Sequence, residues 1–154
     1  MRSVNVPMVP QVPAVLRGLI GVLALLCGAT AAWAQAPVEY RLSFPEPEHR
    51  WMQVEVTFRE VPPGPLHVRM SRTSPGRYAL HEFAKNVFDV RLRDGKGTAL
   101  TPERPDLHQW DVGGHDGTVV VSYRVFGDRI DGTYLAVDST HAHMNMPATL
   151  MWAR

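Results

Sequence analysis

Trp51-Met-Gln-Val-Glu-Val-Thr-Phe-Arg59 decides the fold class. Met52, Val54, Val56 and Phe58 fall on one side of an extended chain, and Gln53, Glu55, Thr57 and Arg59 fall on the other. Side chains alternate across a strand, so the stretch is predicted to be a half-buried antiparallel strand with one face on a core. Pro62-Pro-Gly-Pro65 ends it, because successive prolines cannot donate to a ladder.

The same period recurs on both sides. Val38 to Phe44 reads as a first strand, closed by Pro45-Glu-Pro47. Leu66, Val68 and Met70 alternate with His67, Arg69 and Ser71, and Thr73-Ser-Pro-Gly76 is a turn. Arg77 to Asn86 is ambiguous and has room for one or two helical turns. Val87 to Arg93 is predicted as a strand with Phe88, Val90 and Leu92 on one side, and Asp94-Gly-Lys-Gly97 as its hairpin turn. Gln109 to Val112 reads as a short strand before the turn Gly113 to Gly117. Thr118 to Phe126, rich in Val and Tyr, is the strongest strand. Thr133 to Asp138 and Thr140 to Met146 are expected to be extended. Short strands and turns at this spacing predict an all-β, antiparallel β-sandwich with space for one short helical turn.

The N-terminal part reads differently. Residues 1–34 contain no acid, carry Arg2 and Arg17, and run through Gly18-Leu-Ile-Gly-Val-Leu-Ala-Leu-Leu to Ala32-Trp33-Ala34. A basic start, a short apolar run and a small-x-small end define a secretory signal peptide. A membrane anchor needs about 20 apolar residues, more than this run offers. Residues 1–34 are therefore expected to be a cleaved leader and 35–154 one domain, exported to the periplasm or the extracellular space. The one cysteine, Cys27, follows Leu26, too large for a lipidation site, and lies inside that leader. A domain without thiols has neither a disulfide framework nor a Cys nucleophile.

Cleavage would remove two of the 16 basic residues and none of the 15 acidic ones, leaving 14 against 15. A near-neutral, interleaved surface gives no electrostatic footprint for nucleic acid or anionic lipid. Neither nucleic acid nor, after cleavage, a membrane is expected as a partner.

The reactive residue types do not assemble into a site. His81-Glu82 invites comparison with H-E-x-x-H, but Lys85 stands where the second ligand belongs, and a lysine cation does not coordinate. His141, His143 and Asn145 would share one face of a strand, with Ala142, Met144 and Met146 on the other. Two His can begin a metal site, but a third ligand such as Asp138 or His115 would have to come from elsewhere in the fold. Ser71, Ser74, Ser122 and Ser139 lack a nucleophile elbow, and no phosphate loop occurs. No catalytic residue and no metal or cofactor site is assigned on this chain.

Met70-Ser-Arg-Thr-Ser-Pro-Gly-Arg-Tyr-Ala-Leu-His-Glu-Phe-Ala-Lys-Asn-Val87, Gln109-Trp-Asp-Val112 and the long run Gly127 to Thr149 with His141-Ala-His-Met-Asn-Met-Pro147 together resemble one family. The likeness covers about Val38 to Arg154 and is to the N-terminal region of the glycyl aminopeptidase family of zinc metallopeptidases. It implies a β-rich accessory domain ahead of a thermolysin-like zinc domain and a PDZ-like domain. The sequence stops where the catalytic domain would begin, so the resemblance implies a truncated product or fragment whose zinc and peptidase chemistry lie in missing polypeptide. The expected partners are that catalytic domain and, indirectly, its peptide substrate. His141, His143 and Asn145 are expected to face the substrate cleft or the domain interface.

Two other classes stay open: a stand-alone secreted β-sandwich binding module, and an independent hydrolase. An accessory domain is expected to expose an apolar seam at Pro147–Arg154. A binding module is expected to tuck that segment into a sheet.

Overall fold

A computed structural model describes residues 37–154. The expected leader, Cys27 included, lies outside the described residues. The strands in chain order are β1 (Glu39–Glu46), β2 (Trp51–Phe58), β3 (Leu66–Arg69), β4 (Val87–Asp94), β5 (Ala99–Leu100), β6 (Gln109–Val112), β7 (Val119–Phe126), β8 (Ala136–Val137), β9 (Ala142–His143) and β10 (Trp152–Ala153). One short helix, α1 (Met146–Thr149), and single 3-10 turns at Pro47–His49 and Phe83–Asn86 complete the described elements. The ambiguous stretch 77–86 thus resolves into one turn at its end.

The alternation at Trp51 becomes β2, with Met52, Val54, Val56 and Phe58 buried and the residues between them half-buried. β7 is the central strand of a five-stranded sheet ordered β1-β2-β7-β4-β5. A second sheet, ordered β10-β3-β6, supplies the other layer, and β8 pairs with β9. Every ladder is antiparallel. Met52, Val54 and Val56 join Val121, Tyr123 and Val125 of the large sheet in one core with Val68, Trp110 and Val112 of the small sheet. Each such side chain removed from water contributes about 1.5–3 kcal/mol. The architecture is an all-β sandwich, as the two-residue period predicts.

One predicted face is corrected. Phe88 does not share a side with Leu92: it is 44% exposed, while Leu92 is buried. Pairing to β7 slips between Phe88 and Arg91, and Asp89 adopts a φ of 52°. This β-bulge sets Asp89 and Val90 against the single residue Tyr123 and reverses the pleat. Phe88 packs edge-on against Trp51 instead, 5.3 Å between ring centres.

The segment Pro147–Arg154 is tucked in, and the seam expected of an accessory domain is not found there. Ala148, Thr149 and Met151 are buried, and β10 adds to the edge of β3. Its backbone is satisfied by two tyrosines. The Tyr123 hydroxyl donates to the Thr149 carbonyl (3.0 Å) and accepts from the Met151 N–H (2.9 Å), and the Tyr40 hydroxyl donates to the Met151 carbonyl (2.7 Å). Burial pushes the Tyr123 phenol above its ordinary pKa, so it stays a neutral donor. No helix among the described residues is long and apolar enough to cross a membrane.

Candidate functional site

The two long stretches that carry the resemblance, 70–87 and 127–149, meet in space. Asn145 is the knot. It follows β9 in extended backbone, and its Nδ2 donates to the Ser74 hydroxyl (2.8 Å) and to the Thr133 carbonyl (2.6 Å). Its own carbonyl accepts from the Ala148 N–H (2.9 Å) and the Thr149 hydroxyl (2.7 Å), which starts α1. Pro147 fits the first turn because the N–H it lacks has no helical partner there. One side chain therefore fixes three segments to each other.

Aromatic packing makes a second tie. Phe83 is fully buried and meets Tyr134 edge-on at 5.2 Å, while His81 stacks on Phe83 at 5.3 Å. The Tyr134 hydroxyl lies 3.3 Å from His81 Nδ1 and accepts from Lys85 Nζ at 3.5 Å. The guanidinium of Arg129 covers the Tyr134 ring, 4.7 Å from its centre. A third tie is the bond from Arg77 Nη2 to the Asp131 carbonyl (3.3 Å).

Glu82 sits in left-handed backbone, φ 52°, which costs a residue with a Cβ about 1–3 kcal/mol. Its carboxylate receives Arg72 through Nη2 (2.6 Å) and Nε (3.3 Å) and lies 2.6 Å from His108 Nε2. The Arg72 guanidinium, with His108 behind it, holds the Glu82 carboxyl below the usual range. His81 and Glu82 thus anchor the loop before the 3-10 turn. They are not on a helix, and Lys85 is engaged with Tyr134, so the residues present do not fit a zinc site of the H-E-x-x-H kind. Among the described residues no group of three His, Cys, Asp or Glu is placed to hold a metal.

The three residues expected on one strand face are divided by the structure. The ladder is only two residues long, Ala142–His143, because Asn145 leaves it to begin α1. His141 is exposed, its Nδ1 3.2 Å from Asp138 Oδ2. Asp138 accepts from the Thr140 hydroxyl (2.6 Å), the Thr140 N–H (2.7 Å) and the His141 N–H (3.0 Å), and the Thr140 hydroxyl first among them holds its carboxyl far below the ordinary value. His143 is exposed opposite Ala136. Asn145 is half-buried and turned into the loops.

Sequence reading missed the apolar side chains these tied loops leave outside. Tyr78 (107% exposed), Leu80 (61%), Ile130 (81%) and Met146 (54%) all lie on the fixed stretches. Tyr78, Leu80 and Ile130 lie outside every strand and helix, and Met146 opens α1.

Residues 39–154 match the model of the Peptidase M61 N-terminal domain. The chain belongs to that family. The M61 family is the one the sequence strings resemble, so the glycyl aminopeptidase likeness and the family match agree. Among solved structures, the M61 N-terminal domain is similar to an aminopeptidase N family protein from Idiomarina loihiensis, with a TM-score of 0.71 and 14% identity. The alignment covers 77% of this chain and 20% of that one, so this chain spans about a fifth of that protein, and at this identity the likeness is one of fold. No curated protein matches the chain.

Proposed function

We propose that this chain is the non-catalytic accessory domain of an exported zinc peptidase, and that it docks on the catalytic domain through the face built by the loops at 71–82, 128–135 and 138–146. One observation carries the reading: Tyr78, Leu80, Ile130 and Met146 are exposed on loops that Asn145, Tyr134 and Arg77 hold in place. A preorganised apolar surface binds without a loop-ordering cost. His141 and His143 form a polar rim to that face and help shape the substrate cleft, while Asn145 acts as a positioning residue behind it. Zinc and the peptide-cleaving groups belong to the catalytic domain.

The test is a full-length M61 peptidase fitted with this domain. His141→Ala together with His143→Ala is expected to raise KM several-fold with little change in kcat, since a cleft wall selects substrate without touching the reacting atoms. Unchanged KM and unchanged domain docking would remove the two His from the cleft. The buried segment Pro147–Arg154 favours a second reading, a stand-alone secreted β-sandwich binding module, because it closes the sandwich without help from another domain. That reading expects the chain to bind a ligand by itself and to show no affinity for an M61 catalytic domain.

A further inference from the structure

The outer face of the small sheet carries a second feature, beside the start of the loop at 71–82. Val68 points into the core, so its neighbour Arg69 points outward. Arg69 is directly opposite Trp152 on β10 and Gln109 on β6, which places the three side chains in one row. Arg69 Nε donates to Gln109 Oε1 at 2.6 Å, and Gln109 Nε2 donates onward to Asp111 (2.6 Å). This pins the guanidinium through Nε, and Arg69 lines a cleft of about 360 Å³. No carboxylate stands within 4.0 Å of Arg69 among the described residues, although, behind His67, Arg69 is near enough to help hold the Asp111 carboxyl below its ordinary range.

The other basic side chains lining the cleft, Arg72 and His108, lie against Glu82, while Asp106 keeps its negative charge. Arg72 is bound through two nitrogens by Glu82, and Asp106 Oδ1 accepts the His108 N–H at 2.6 Å. Ser71 and Thr73 add hydroxyls to the wall, and the indole of Trp152, 41% exposed, forms the side next to Arg69. Beside the Asp106 carboxylate, the cleft thus offers one oriented guanidinium, two hydroxyls and one aromatic residue.

We propose that this cleft binds the terminal carboxylate of a peptide whose last residue carries an aromatic or large apolar side chain. A guanidinium fork matches a carboxylate with two parallel hydrogen bonds. The indole takes the apolar side chain by stacking. Residues directly opposite in an antiparallel ladder have Cβ atoms about 5 Å apart. Charge and ring are thus close enough to be met by a single ligand residue, and a C-terminal residue provides both groups. The site shares Ser71 and Thr73 with the edge of the three-loop face, but its binding groups, Arg69 and Trp152, lie on the small sheet.

N-acetylphenylalanine and N-acetylphenylalaninamide, titrated into the purified chain, test this by amide NMR. The acid is expected to bind at millimolar concentration and to shift the Ser71 and Thr73 amides and the Trp152 indole N–H. The amide, which lacks the charge, is expected to bind at least about tenfold more weakly. Arg69→Gln is expected to erase the preference for the acid, and Trp152→Ala to weaken both compounds. Equal affinity of acid and amide for the unmodified protein overturns the proposal without reliance on any variant. So does a binding footprint remote from Arg69 and Trp152.

Discussion

Asn145 donates from one amide nitrogen to Ser74, 71 residues away in the chain, and to the Thr133 carbonyl. One side chain thereby ties together the loops that carry the family's strings, beside the Tyr134 packing and the Arg77 bond. Asn145→Ala leaves both acceptors without this donor and is expected to cost about 1–3 kcal/mol. Urea denaturation measures the loss. Hydrogen exchange at residues 72–81 and 129–134 should rise with it, while β2 and β7 stay protected.

Tyr123 secures the last segment by donating to Thr149 and accepting from Met151. Tyr123→Phe keeps the ring and removes both bonds. The Met151 N–H and the Thr149 carbonyl are then buried without partners, at about 1–3 kcal/mol each before relaxation. Thermal unfolding should show a lower Tm, and proteolysis should open the chain first near Leu150. A variant as stable as the parent would mean that the tyrosine hydroxyl does not hold β10.

Gly127 lies where a Cβ would meet the side chain of Leu135, with Cδ2 2.7 Å away. Leu135 is buried and cannot swing out. Gly127→Ala is expected to destabilise the domain by about 1–3 kcal/mol through overpacking. Leu135→Ala in the same chain should relieve part of that cost, so the two changes are expected to be non-additive in a double-mutant cycle.

Acid sensitivity follows from the turn and loop carboxylates. Glu82, Asp111, Asp131 and Asp138 are all held below their ordinary values in the folded chain, Glu82 chiefly by Arg72, Asp111 by His67, Asp131 by the Thr133 N–H and Asp138 by Thr140. A depressed carboxyl contributes stability that is present above its unfolded pKa, about 4, and lost as pH falls through the folded value. Stability should therefore be flat from about pH 5 to 7 with respect to these groups and fall below about pH 4. Asp138→Asn should make the acid limb shallower. An acid limb unchanged in this variant would show that the Asp138 turn does not contribute to it.

The fold was legible wherever a strand kept its period. β2 and β7 show it because one of their faces is apolar at every second position, and β6 follows from a short Gln109–Val112 run between turns. The Asp89 bulge was not legible, since neither Gly nor Asn marks its left-handed backbone. That single slip moved Phe88 to the other face. The helix α1 begins on the last residue of the stretch read as extended, Met146, and was not legible because a four-residue helix has no period to detect. The docking face was legible only as separate strings. Asn145 reads as a strand residue beside two His, and its role depends on Ser74 and Thr133, which reach it only through the fold. Tyr78, Leu80 and Ile130 belong to no strand or helix, Met146 reads as the end of a strand face, and only their exposure in the fold marks the four.

The most direct test of the account is to replace Leu80 and Ile130 by Asp in a full-length M61 peptidase fitted with this domain. Both side chains are largely in water, so the isolated domain should keep its Tm. In the full-length enzyme, the loops at 71–82 and 128–135 should lose their protection from hydrogen exchange, and kcat/KM should fall at least about tenfold, a change of about 1.4 kcal/mol. An enzyme with unchanged kcat/KM and unchanged protection would contradict the assignment of this face to the catalytic domain.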